Sequence, residues 1–540
     1  MSDQDLAPPQ QTFPGSAPVK DLSIEHRDYR TNKTLWAKLD MLYKGDEQFR
    51  EQRANFLTRR PKELQDVYEA RLQQVAYQNI LSTGLGFYRA AMFKNDMNVM
   101  AHKMNPNGTL TADPVDAAVD SYYIAFRNNC DRQGTSLTDF MRELFLAAAL
   151  NKVAYVLMDV SKGSASQSLR SQKETGVLDG HGKVLPYLVP YHPLQVINWG
   201  NDDQGNMTWC VISYVDYRSS FLAPTEVYDV WCYYDQTSFS KYEYKRKPEE
   251  VEDVSSIPED AMATLVDSGL HALSAYKQNP VTRFQLTDTL WLGNRVMDPV
   301  IDHFNSDQAY SWALRQGCLA MPVIMCDADI KPVLSEVGFI KLPKDSKYEW
   351  SEPKGYSFAK MSDRVNELRE EVYRLMYLTA QGRQSSATAA AASKISKEYD
   401  MMPATEVMNE FGDFIKDCVR SLLASVATCR GDKGVGFDIR GMKFGRTASI
   451  EDIQKTQATI SLLVPSNTFT REMYRQIARN YLPDANPEIM QTINDEIDAM
   501  PDMTAIQAQA RQQVTKEYQQ DMLTAGGRFT SRITDSKAEN

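Results

Sequence analysis

The part of this chain that most limits its fold is the stretch 289–393, which reads as helix, short β insertion, helix, small-residue loop and helix, with clear boundaries between them. Asp298-Pro299 marks the start of the first helix, because an aspartate can accept from free backbone N–H groups and proline is pre-set for the first turn. Val300, Ile301, Phe304, Tyr310, Trp312 and Ala313 give that helix apolar mass, and Gly317 is its expected end. Met321, Pro322, Val323, Ile324 and Met325, then Gly338, Phe339, Ile340, Lys341 and Leu342 after a turn-prone Asp327-Ala328-Asp329, predict two short strands.

The second helix is expected over 357–380. Its apolar positions Phe358, Met361, Val365, Leu368, Val372 and Leu375 are spaced 3, 4, 3, 4 and 3, a seam suited to packing on another helix. The same spacing also serves a core-facing helix of an ordinary globular domain. Gly382, Arg383, Gln384, Ser385, Ser386, Ala387 and Thr388 follow, a linker without a large apolar residue, before a run of helix formers at Ala389 to Ala392. Pro403 predicts a break or kink in the third helix, whose later half carries Phe411, Phe414, Ile415, Cys418, Val419, Leu422, Leu423 and Val426 on one face.

Elsewhere the reading is coarser. Residues 1–30, with Pro8, Pro9, Pro14 and Pro18 among Gln and Ser, predict a flexible arm, and 31–150 read as helical, with Leu35, Trp36, Leu39, Leu42 and Tyr43 at helical spacing. From Lys152 to Lys247 the period falls to two, through Val153, Tyr155 and Leu157, then Trp209, Val211 and Val215, then Val227 and Trp231; this predicts an antiparallel meander, interrupted by a surface loop over 161–183. The remainder from about 447 reads as helical, ending in a polar tip. The overall class expected is α+β.

A length of 540 residues suffices for several domains, and 42% hydrophobic with 24% charged residues is ordinary for a soluble chain. A net charge of -11 argues against gripping nucleic acid through a whole basic face. No run approaches 18 apolar residues and the N-terminus lacks a signal-like pattern, so neither a membrane span nor export is expected. Seven scattered cysteines read as reduced core thiols. The six histidines show no metal-ligand spacing, Gly84-Leu85-Gly86 and Gly431-Asp432-Lys433-Gly434 lack the residues of a phosphate cradle, and no nucleophile elbow occurs. No catalytic residue, metal site or cofactor is therefore expected.

Gly293, Asp298, Pro299, Val300, Ile301, His303, Phe304, Asn305, Ser306, Asp307 and Gln308, followed by the apolar Met321 to Met325 strand, resemble the portal proteins, or head-to-tail connectors, of tailed bacteriophages. Trp36, Asp40, Tyr43, Gly45, Arg53, Leu57, Arg60, Glu63, Tyr68, Arg71 and Tyr77 resemble the opening helical pattern of one portal group. The likeness rests on order and spacing over most of 30–450. It implies a portal-type fold: a wing over 31–285, stem helices over 286–317 and 357–380, a clip over 318–356, a tunnel loop with kinked helix and return to the wing over 381–446, and a crown over 447–540.

It also implies a ring of twelve copies at one capsid vertex of the virion, assembled in the host cytoplasm, through which a terminase motor packages double-stranded DNA that is later ejected. The partners implied are the terminase large subunit, head–tail adaptor proteins and the major capsid protein, with non-specific contact to DNA. Arg383, Gln384, Ser385 and Ser386 would touch phosphates from the tunnel loop, although Arg383 at the end of a helix also suits plain capping. Lys331, Lys341, Lys344 and Lys347 would belong to the docking edge of the clip, and the six seam residues would pack the stem. The other reading open to the sequence is a nucleic-acid-processing enzyme of unrecognised type, with a site assembled only in three dimensions.

Overall fold

The computed structural model describes residues 13–94, 96–105, 107, 110–160, 183–221, 223–252, 257–258, 260–271, 273–317, 321–325, 347–351, 355–378, 394–440, 442, 467–481 and 487–500. The chain is a mixture of helix and sheet, and every strand pairing among the described residues is antiparallel. It divides into a unit spanning 1–444 and a second spanning 445–540.

The alternating segments form the expected meander. Val196–Asn201, Met207–Ser220, Ala223–Tyr234 and Ser238–Lys245 pair in sequence, and Met262–Leu270 and then Ser16–Pro18 extend them into a six-stranded sheet. Val153–Val160 belongs to a different sheet, between Val281–Gln285 and Pro186–Tyr191. Its first six residues are buried on both faces, because helix Leu137–Asn151 covers one side of this central strand.

Two other expectations are corrected. The flexible arm over 1–30 is ordered from residue 13 onward: Ser16–Pro18 pairs with Met262–Thr264, the Tyr242 hydroxyl donates to the Pro14 carbonyl, and helix Arg27–Lys44 begins inside the predicted arm. Prolines at a sheet edge cost no ladder bond when their nitrogen faces away, so the composition that suggested disorder suits an edge strand equally well. The region 31–150 is not all helical either. Asn98–Met104 and Leu110–Pro114 form a hairpin, and Val435–Arg440 adds to it as a third strand. The loop expected over 161–183 lies outside the described residues except for Lys183.

One apolar core runs through the first unit, linking Trp36, Leu39 and Leu42 of helix Arg27–Lys44, Leu81, Leu85 and Tyr88 of helix Ile80–Met92, and the 137–151 helix. Helix Lys394–Arg430 completes it through Phe411, Ile415, Cys418, Val419, Leu422, Leu423 and Val426, with Phe414 half-buried. Pro403, where a break or a kink was expected, lies inside the 394–430 helix, which continues through it. In the second unit, helices Asn467–Tyr481 and Pro487–Asp498 pair antiparallel, with Arg475 on Asp498 and Arg471 donating to the Met500 carbonyl at 2.9 Å.

Candidate functional site

Helix Leu292–Gly317, strand Met321–Met325, strand Lys347–Ser351 and helix Gly355–Leu375 form one hairpin-shaped element. The strands pair with Met321 opposite Ser351 and Met325 opposite Lys347. The helices run antiparallel against each other: Arg364 reaches Asp302 at 3.3 Å, and Arg295, a turn and more earlier, reaches Tyr377.

The first helix starts at Leu292, not at Asp298-Pro299, and Pro299 lies inside it. Proline there forgoes one backbone bond, but Leu292, Val296, Val300 and Phe304 recur every fourth residue and are all buried. That tertiary burial outweighs the local stop signal. The second helix ends at Leu375, five residues before its expected end, where Leu378 N donates to the Tyr373 carbonyl at 2.7 Å and Tyr377 takes a left-handed φ of 60°.

The base of the hairpin is gripped by the rest of the unit. Phe304 meets Phe49 and Tyr77 edge-on at 5.8 Å each, inside a cluster in which Phe49 also stacks on Phe56 at 5.2 Å and on Tyr77 at 4.5 Å. Asn305 acts as a clamp: its Nδ2 donates to the Phe56 carbonyl at 3.0 Å and its Oδ1 accepts from Thr58 N at 2.8 Å. A Cβ on Gly293 would lie 2.2 Å from the Leu150 carbonyl oxygen, so the helix start approaches the end of helix Leu137–Asn151 as closely as a backbone can. On the second helix, the Tyr88 hydroxyl donates to the Met376 carbonyl at 2.6 Å, and Met376 fills the space left by Gly84.

Three polar side chains are buried at this base. His303 is 2% exposed, its Nε2 has no hydrogen-bond partner among the described residues, and burial together with the charge of Arg369 holds its pKa down at about 4. Asp307, one turn further, has a carboxyl raised by burial and, among the described residues, accepts only a long 3.4 Å bond from Gln78. Gln308 is buried beside them. The outer parts of both helices differ: none of the described residues in 309–315 or 356–367 is buried.

Of the seam residues, Leu368 and Val372 are buried, whereas Phe358, Met361, Val365 and Leu375 are half-buried. Sequence reasoning missed Met376 and Leu378, which carry the buried stripe past the helix end. It also missed the clamp at Asn305 and the pairing of Arg295 with Tyr377. The small residue at Gly84 was the one legible sign of the close approach by Met376.

The ribbon needs a further correction. The strand opposite 321–325 is Lys347–Ser351, while 338–342 lies outside the described residues. Lys331, Lys341 and Lys344 of the expected docking edge lie outside them too, and Lys347 is placed as the first residue of the second strand. Arg383, Gln384, Ser385 and Ser386 also fall outside the described residues. Among the described residues, no group of three or more His, Cys, Asp or Glu could hold a metal ion, and no helix is long and apolar enough to cross a membrane.

No family model and no curated protein matches the chain. Among solved structures it is similar to the neck of an empty GTA particle computed with C6 symmetry, at 10% identity and a TM-score of 0.36, over 81% of this chain and 95% of that one. A likeness at that level carries no argument about fold or function. What the site offers stands on its own geometry: two long antiparallel helices, gripped at the base, with a β-ribbon joining their far ends.

Proposed function

We propose that this chain is a portal-type structural subunit, which assembles into a ring whose channel passes double-stranded DNA during packaging and ejection at a capsid vertex. The observation that supports this reading is the hairpin itself. A rigid base fixes the angle of two helices, each more than twenty residues long. At about 1.5 Å per residue the second spans about 32 Å, enough to line much of a channel around a duplex. Its outer half holds no buried side chain within one copy, which suits helices that find further partners in neighbouring copies.

In this reading the ribbon end is a docking edge for a packaging motor and later for head–tail adaptor proteins. The segment 381–392 supplies one arginine per copy to passing phosphates, while the net charge of -11 keeps the overall hold on DNA weak. The ring, its motor, adaptors and capsid contacts place the protein in the virion. A packaging assay tests the docking role. Rings built from a chain deleted for 327–337 should form normally yet fail to bind the motor and fail to fill particles with DNA. Unimpaired motor binding and packaging would sink the docking edge.

A further inference from the structure

Loop 58–63 is a rigid basic turn on an acidic chain. Behind it, Arg71 of helix Gln65–Gln73 is 2% exposed and donates from Nε and Nη2 to the two oxygens of Glu63 at 2.9 and 2.8 Å. The same Nη2 donates to the Thr58 carbonyl, and Arg60 N donates to Glu63 Oε2, both at 2.9 Å. The acid of this loop is thus turned inward and neutralised by a buried partner. Arg59, whose Nη2 donates to the Glu63 carbonyl at 2.9 Å, Arg60, whose charge helps hold the Glu63 carboxyl ionised, and Lys62 are exposed, with Arg53 half-buried, and among the described residues none of the four makes an ion pair. Leu64, next to them, is 67% exposed.

The long 394–430 helix carries the opposite pattern. Met402, Glu406, Glu410, Asp413 and Asp417 are spaced 4, 4, 3 and 4, so they share one face, and all five are exposed. Among the described residues Glu406 and Glu410 make no ion pair, and Asp413 has only the largely buried Lys416 at 3.5 Å. Met402, at the end of this acidic stripe, is 55% exposed, an apolar counterpart to Leu64. Within one chain no ion pair joins the two surfaces among the described residues.

We infer that loop 58–63 of one copy docks on the Met402–Asp417 face of a second copy, with Arg59, Arg60 and Lys62 against Glu406, Glu410 and Asp413, and Leu64 beside Met402. The inference rests on the ring reading and names its subunit contact. Two different patches that complement each other generate a head-to-tail interface, which closes into a ring when the rotation allows. Copies that each carry -11 repel one another, and a locally matched contact offsets that repulsion and fixes the register.

The test is charge exchange on the full-length chain, read by sedimentation velocity in low and high salt. R59E/R60E/K62E and E406K/E410K/D413K should each abolish the assembled species, and the chain carrying all six changes should recover it. Far-UV circular dichroism and thermal melting of each variant establish that it is folded. Wild-type assembly should weaken as salt rises. If the wild-type chain stays monomeric, the ring reading fails and this contact with it. If wild type assembles and both folded triple variants assemble equally well, only this contact is overturned. Normal assembly of R59E/R60E/K62E with lost binding of a 20-base-pair duplex would overturn it in favour of phosphates as the loop's ligand.

Discussion

Arg295 lies with its guanidinium carbon 4.9 Å from the centre of the Tyr377 ring and donates to the Tyr377 hydroxyl, so the start of one long helix holds the end of the other. Tyr377 sits at a left-handed φ of 60°, closed by backbone bonds from Tyr377 N to the Arg374 carbonyl and from Leu378 N to the Tyr373 carbonyl, and Arg295 holds its side chain from the other helix. Arg295→Ala should lower stability by about 1 to 2 kcal/mol through loss of the cation–π contact and the hydrogen bond. Denaturant unfolding of the purified chain measures this, and an unchanged midpoint would remove the pairing from the account.

The packing of the hairpin predicts a larger effect. Leu368 is buried between the helices, and Leu368→Asp would place an uncompensated carboxylate there, at a cost of several kcal/mol. Phe358→Asp, at a half-buried position in the outer half, should cost much less in the isolated chain but should weaken assembly. Thermal melts of both variants, beside their sedimentation profiles, separate the two roles.

The buried pair of Glu63 and Arg71, at 4% and 2% side-chain exposure, gives a third prediction. Arg71→Met strands the Glu63 carboxylate in the interior and should cost about 3 to 5 kcal/mol, whereas replacing both partners by apolar residues should recover much of the loss. A double-mutant cycle in urea provides the numbers.

Acid sensitivity follows from the base of the hairpin. The His303 pKa is about 4 in the fold against an ordinary 6.5, so between these values the unfolded chain binds the extra proton. The stability that His303 contributes is full above about pH 6.5, declines as the pH falls and reaches its minimum near pH 4. Asp307 acts in the opposite sense. Its carboxyl is raised by burial, so its contribution is present at low pH and is lost as the pH rises through the folded pKa. His303→Gln should flatten the decline between pH 6.5 and 4, and Asp307→Asn should raise stability at pH 7. Unfolding free energies measured from pH 4 to pH 7 decide both.

Local periodicity made the long helices legible: the face from Phe411 to Val426 was readable because a 3.6-residue repeat needs no knowledge of distant chain. The pairing of Asn98–Met104 with Val435–Arg440 was not, since nothing in either heptapeptide or hexapeptide names a partner more than three hundred residues away. Pro299 misled for a related reason, because its local stop signal is overruled by burial of Leu292 and Val296. The second ribbon strand did leave a signal, the alternation of Tyr348 and Trp350 with Lys347, Glu349 and Ser351, but the apolar run at 338–342 was the louder one. Contacts such as Asn305 with Thr58 depend on three-dimensional placement and have no sequence signature.

The central claim is that copies of this chain close into a ring, and the mass of the full-length protein in solution tests it most directly. Size-exclusion chromatography with light scattering should give one species near twelve times the 61.3 kDa chain mass, with a central hole in negative-stain images. A monomer at every concentration and salt tested would contradict the account.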